Sequence, residues 1–124
     1  MSISDYLASF RHDIERLDTY GFAESIIFQE ELRAGKQAVI KAEIVLVDGS
    51  CLIIREYIGS KYGIEKLSYA YQYHDRDENL IFRYDNAAHK PKLNFVNHKH
   101  SSSGIEMANP PEMSELVDEV IACL

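Results

Sequence analysis

The chain has little of what most readily declares a function. Its two cysteines, Cys51 and Cys123, are too few and too far apart for a disulfide framework or a zinc ribbon, and reduced thiols are expected. No run approaches the roughly 18 apolar residues that a membrane helix needs. The first residues, Met1-Ser2-Ile3-Ser4-Asp5, lack the basic start and apolar core of a secretory signal, so a cytoplasmic location is expected. There is no phosphate-binding glycine loop, no dinucleotide fingerprint and no nucleophile elbow. Internal repeats are absent, and the only low-complexity tract is Ser101-Ser102-Ser103. Positive charge is scarce too. Thirteen Lys and Arg stand against 20 Asp and Glu, a net charge of −7 that argues against a general nucleic-acid coat protein. With 124 residues the chain is expected to form one domain, residues 1–124, large enough for a real core.

What is there is concentrated in one stretch. Between Phe82 and His100 fall three of the five histidines, His89, His98 and His100. Arg83, Lys90, Lys92 and Lys99 are opposed by Asp85 alone, a local excess of three positive charges that leaves the remainder at −10. An acidic body with one basic, histidine-rich segment fits a localised site for something anionic. The plainer reading is a solvated loop that happens to be basic.

Periodicity organises the rest. Leu7, Phe10, Ile14 and Leu17 recur at helical spacing and predict a helix over 3–20, with Gly21 ending it. A strand is expected over 25–32. In 39–47, Ile40, Ala42, Ile44 and Leu46 alternate with Lys41, Glu43 and Val45, and Asp48-Gly49 marks a hairpin that returns through 52–58. The strand 66–74 places Leu67, Tyr69, Tyr71 and Tyr73 on one side. A polar turn leads to a strand over 80–85. The fold class is therefore α+β: an antiparallel meander of four to five strands over 25–85, flanked by an N-terminal and a C-terminal helix. Residues 86–109 are expected to be a functional loop, extended near 93–100 and mobile at the serines. A helix over 110–123 follows, with Asn109 as its cap, Pro110 and Pro111 in its first turn, and Met113, Leu116, Val117, Val120 and Ile121 on its apolar stripe.

A four-residue turn, Arg76 to Asn79, registers Tyr73 with Phe82 and Tyr71 with Tyr84. This aromatic stripe reads as core against the helices, with a base-stacking platform as the rival. The opposite face then carries Gln72, His74, Arg83 and Asp85. At the neighbouring hairpin a three-residue turn puts Glu43 and Arg55 on one face and Glu56 on the other, whereas a two-residue turn puts Glu43 with Glu56.

His98-Lys99-His100 places two imidazoles on one side of an extended segment. Three chemistries fit. In metal-independent RNA cleavage, attack by the 2′-OH needs a base and an acid near neutral pH and a cation for the phosphate. His89, His98 and His100 supply the first two, Arg83 and Lys99 the third. A divalent zinc or manganese ion held by Asp85, His89, His98 and His100 is the lesser alternative, the primary expectation being no cofactor. The third is structural: histidines bonding a loop backbone, or a basic surface that docks a partner.

At this point the sequence resembles a family. Leu80-Ile81-Phe82-Arg83-Tyr84-Asp85-Asn86-Ala87, then His89, Pro91, Phe95 and His98-Lys99-His100, resembles the TumE-like toxins of toxin–antitoxin pairs. Ala42-Glu43, Asp48-Gly49-Ser50, Arg55-Glu56-Tyr57 and Tyr69-Ala70-Tyr71-Gln72-Tyr73-His74 match in the same order. The resemblance departs at Ala88, where the family usually has Pro, and at Lys90 and Asn97, where it has further His. It implies a small cytoplasmic toxin with an antitoxin protein as partner, acting through RNA. The expected catalytic residues are His89, His98, His100, Arg83 and Glu56, with Glu56 orienting or assisting. Lys99, Asn86, Asp85 and Lys90 are expected at the substrate. A homodimer is possible, and no membrane is involved. The alternative is a non-enzymatic interaction module whose basic loop docks an acidic antitoxin or a nucleic acid.

Overall fold

The computed structural model of the protein describes residues 1–88 and 95–124. Among these, the chain runs α1 (Ile3–Thr19), β1 (Ala23–Arg33), β2 (Gln37–Leu46), β3 (Cys51–Gly59), β4 (Glu65–His74), β5 (Leu80–Asp85), β6 (His98–Ser101), β7 (Gly104–Met107) and α2 (Met113–Ala122). The strands form one antiparallel sheet in sequence order, a meander of seven. The α+β class and the flanking helices hold; four to five strands were expected, and the sheet has seven. The two additional strands lie inside the segment expected to be a loop. Each is only four residues long, and every residue of β7 is exposed. Such strands carry no alternation of buried and exposed side chains for a sequence pattern to reveal.

Local chemistry explains the elements. Ser2 caps α1 in a box with Asp5: each accepts the other's backbone N–H. Gly21 follows the helix at φ 77°, a left-handed position that glycine occupies without strain. The second helix begins at Met113, not 110, and Asn109 is not its cap. Pro111 disfavours helical geometry at Pro110, so the helix is delayed until Glu112 serves as N-cap. The Glu112 N–H donates to the Glu115 carboxylate at 2.9 Å.

One face of the sheet is the core. Ala38, Ile40, Ala42, Ile44 and Leu46 of β2 meet Leu52, Ile54 and Ile58 of β3 and the aromatics Tyr69, Tyr71, Tyr73, Phe82 and Tyr84. Leu7, Phe10, Ile14 and Leu17 of α1 and Met113, Leu116, Val117 and Val120 of α2 cover them. The tyrosine stripe is thus core, and Tyr73 pairs with Phe82 and Tyr71 with Tyr84 as expected, although a bulge between Tyr73 and His74 sets His74 opposite Leu80, so the connection is not the regular four-residue turn. The helices leave the other face of the sheet to solvent and to whatever binds there.

Candidate functional site

Strand alternation decides which charged residues meet. The β2–β3 connection is the three-residue form: the Leu46 N–H donates to Ser50 O, and Gly49 holds φ 85°. Lys41 consequently pairs with Arg55, and Glu43 shares their face while Glu56 turns to the core. Along this open face the register runs Lys41, Arg55, Ala70, Asp85, His98 across successive strands. One step along lies the row Ile53, Gln72, Arg83, His100.

Asp85 is the hub. Its side chain is only 5% exposed. Oδ2 accepts from Arg83 Nε at 2.7 Å, and Oδ1 lies 3.1 Å from His98 Nδ1. His100 Nε2 lies 3.5 Å from Oδ2. Burial works against the charge of Asp85, but the hydrogen bonds from Arg83 and His98 and the charges of His100 and Arg83 outweigh it, holding the carboxyl below its ordinary range. Arg83 also donates through its Nη1 to Gln72 Oε1 at 2.8 Å, so the guanidinium is braced from two strands. Its fork has five N–H donors, more than these two acceptors use.

The two histidines differ. His98 is buried, and its Nε2 lies 3.0 Å from the carbonyl of Phe95, whose ring sits 5.4 Å away. A ring held at both nitrogens is fixed in orientation. The His100 side chain is 21% exposed and reaches the surface beside it, the two rings standing edge to face at 6.1 Å. Donor atoms of Asp85, His98 and His100 all lie within 4.8 Å of one another, a spacing that also suits three ligands of one cation. The guanidinium already on Asp85 Oδ2 is a fixed positive charge beside that position and counts against a second cation there.

The other expected site residues are elsewhere. Glu56 is on the core face, where Tyr6 and Tyr71 both donate their hydroxyls to its carboxylate and Lys66 Nζ stands 3.8 Å away. Burial and the neighbouring Glu56 charge push both tyrosines far above the usual phenol range. Glu56 therefore ties α1 to β3 and β4, and is separated from the histidines by the sheet itself. Lys99, between His98 and His100, also points to the core face. Its Nζ bonds Glu119 of α2 at 3.0 Å and lies 5.0 Å from the centre of the Tyr84 ring. Desolvation opposes the Lys99 charge, but Tyr84 and Glu119 prevail and raise its pKa. Asn86 closes the strand end: its Oδ1 accepts from the Tyr69 N–H at 3.1 Å and its Nδ2 donates to Leu67 O at 3.2 Å. His89 and Lys90 lie outside the described residues. Gln72 was legible as a member of this face but not as the second brace of Arg83. The Phe95 carbonyl, a backbone atom, had no sequence signal.

The meander and the Arg83–Asp85–His98–His100 cluster define a small α+β protein with a compact ionic site on an open sheet face. The chain belongs to the Toxin TumE family, whose model matches residues 12–124. That family places it among the toxins of toxin–antitoxin systems, whose partners in general are antitoxins. No curated protein and no solved structure matches it significantly. Among the described residues no helix is long and apolar enough to cross a membrane.

Proposed function

We propose that this toxin is a metal-independent endoribonuclease whose reacting phosphate lies over Arg83 and His100. The observation that carries the reading is the Asp85 hub, in which a buried carboxylate and the buried His98 hold a guanidinium and a second imidazole, those of Arg83 and His100, that reach the surface of the sheet. Cleavage by the neighbouring 2′-OH requires proton transfer and a cation for the phosphoryl oxygens, and needs no cofactor. His100, the more exposed ring, transfers the proton. His98 and Asp85 position it, and Arg83 binds the phosphate. His89 is the candidate for the second proton-transfer group, with Lys90 beside it as a further phosphate contact. The protein acts in the cytoplasm, restrained by its antitoxin.

The test is cleavage of a single-stranded RNA in EDTA, with products examined for a 2′,3′-cyclic phosphate. His100→Ala is expected to lower kcat by about 10²–10⁴-fold, the usual worth of general acid–base catalysis. Loss of activity in EDTA, restored by zinc or manganese, would instead assign Asp85, His98 and His100 to a metal. The exposed cations Lys41 and Arg55 on the same face favour one other reading, a module that docks an acidic antitoxin or a nucleic acid without turnover. Wild-type binding with no product under any condition would select it.

A further inference from the structure

Lys41 and Arg55 are two cations of the open face that this chemistry does not use; Arg33, at the end of β1 on the same face, is paired with Glu31. Lys41 and Arg55 are direct cross-strand partners, so two like charges project side by side from β2 and β3. Such a pair destabilises a sheet unless something neutralises it. Among the described residues neither makes an ion pair. Next in the row comes Ala70, whose methyl group leaves a depression between Arg55 and Asp85.

Two hollows meet there. One of about 420 Å³ is lined by Lys41, Arg55, Tyr57, Ala70, Arg83 and Asp85 among others. The second, of about 240 Å³, lies among Ile53, Arg55, Ala70, Gln72 and Arg83. They share Arg55, Ala70 and Arg83, and so form one trough from the Asp85 hub to Lys41. Its length is three strand spacings of about 4.8 Å each, too long for a single phosphate group. Its walls combine cations with an aromatic surface. Tyr57 is half-buried, with its hydroxyl donated to Gln37 Oε1, so the ring is already fixed.

We infer that this trough binds single-stranded RNA beyond the reacting nucleotide, with Arg55 and Lys41 taking flanking backbone phosphates and Tyr57 offering a base a stacking surface. The inference rests on the reading of the Asp85 hub as the RNA-cleaving site, but it can fail separately. Charge here is local: the rest of the molecule repels a polyanion, so the trough also fixes where the strand can approach.

The experiment uses a fluorescein-labelled 2′-O-methyl RNA decamer, which lacks the attacking hydroxyl and reports binding without turnover. Fluorescence anisotropy in rising salt gives affinity and salt dependence together. The double variant Lys41→Ala/Arg55→Ala is expected to bind about tenfold more weakly at low salt. Its log–log salt slope should be shallower by about 1.4, two single-strand phosphate contacts at about 0.7 each. Arg11→Ala, a cation on the helical side paired with Glu30, should bind as the wild type does. Circular dichroism checks that each variant is folded. Wild-type affinity and slope in the double variant would overturn the trough while leaving the chemistry intact. Binding that depends on Lys41 and Arg55 in a protein that never cleaves RNA would overturn the chemistry and support the trough. An equal loss in Arg11→Ala, or displacement of the RNA by an equal concentration of deca-glutamate, would reduce the effect to general charge attraction and overturn the inference.

Discussion

Asp85 accepts from Arg83 on its own strand and from His98 on the next, and both geometry and charge depend on its staying ionised. Because its folded pKa is depressed, the stability it contributes is fully present above the ordinary carboxylate value of about 3.9 and is lost as pH falls through the lower, folded value. Asp85→Asn keeps the shape and removes the charge. Since the Arg83 partner is one-third exposed, a modest cost of about 1–2 kcal/mol at pH 7 is expected. Urea unfolding of both proteins should show that difference at pH 7 and a shrinking one below pH 4; a constant difference would mean that Asp85 does not titrate as argued. The composition of this site was partly legible because period-two alternation ties Arg83 to Asp85 and His98 to His100. The face of Glu56 was left open by the sequence, since it depends on the parity of a single turn, and a family match carries a residue's identity without its orientation. A fully buried carboxylate that accepts two tyrosine hydroxyls is a structural anchor. Glu56→Ala is expected to cost about 3 kcal/mol or more in thermal or urea unfolding, through orphaned hydroxyls and a buried void.

Elements differed in how plainly the sequence announced them. The helix 3–19 and the strands β2 to β5 bury one side largely in alternation, and the Tyr73–Phe82 and Tyr71–Tyr84 pairs were legible, whereas the bulge beside His74 that accompanies them was not. The β6–β7 hairpin has no such alternation, and its existence depends on pairing with β5, where Arg83 meets His100 and Asp85 meets His98. Tertiary hydrogen bonding decides that segment, and local propensity does not. The β2–β3 turn is the element on which the division of the two faces depends. Gly49 adopts φ 85°, and a Cβ there would fall 2.9 Å from the Cβ of Arg76 in the β4–β5 turn. Gly49→Ala therefore combines left-handed strain of about 1–2 kcal/mol with a collision between two turns. A drop in the urea midpoint with an unchanged m-value is the expected outcome. By contrast, Gly35 at φ 80° has nothing near its would-be Cβ, so Gly35→Ala meets the strain without the collision and should cost less.

At the scale of the molecule, a single sheet separates two tasks. Helices cover the side that holds the fold together, and the other side presents Lys41, Arg55, Arg83 and His100. Neighbouring residues of one strand therefore belong to different functions, and β3 offers the sharpest comparison. Ile54 is wholly buried among the core side chains. Truncating it to Ala removes apolar contact and leaves a void, an expected loss of about 2–5 kcal/mol. Arg55, one residue later, points into the trough and makes no ion pair with the described residues. Arg55→Ala should change stability by no more than about 0.5 kcal/mol, as exposed substitutions usually do. The affinities should reverse that order. At a temperature where Ile54→Ala is still folded, it should bind the RNA decamer as the wild type does, because its side chain never reaches the open face. Arg55→Ala should melt like the wild type and bind more weakly. Thermal melts and anisotropy on the same two preparations decide the matter. Equal losses of binding in both variants would mean that the trough is not a distinct surface but a property of the whole sheet's packing.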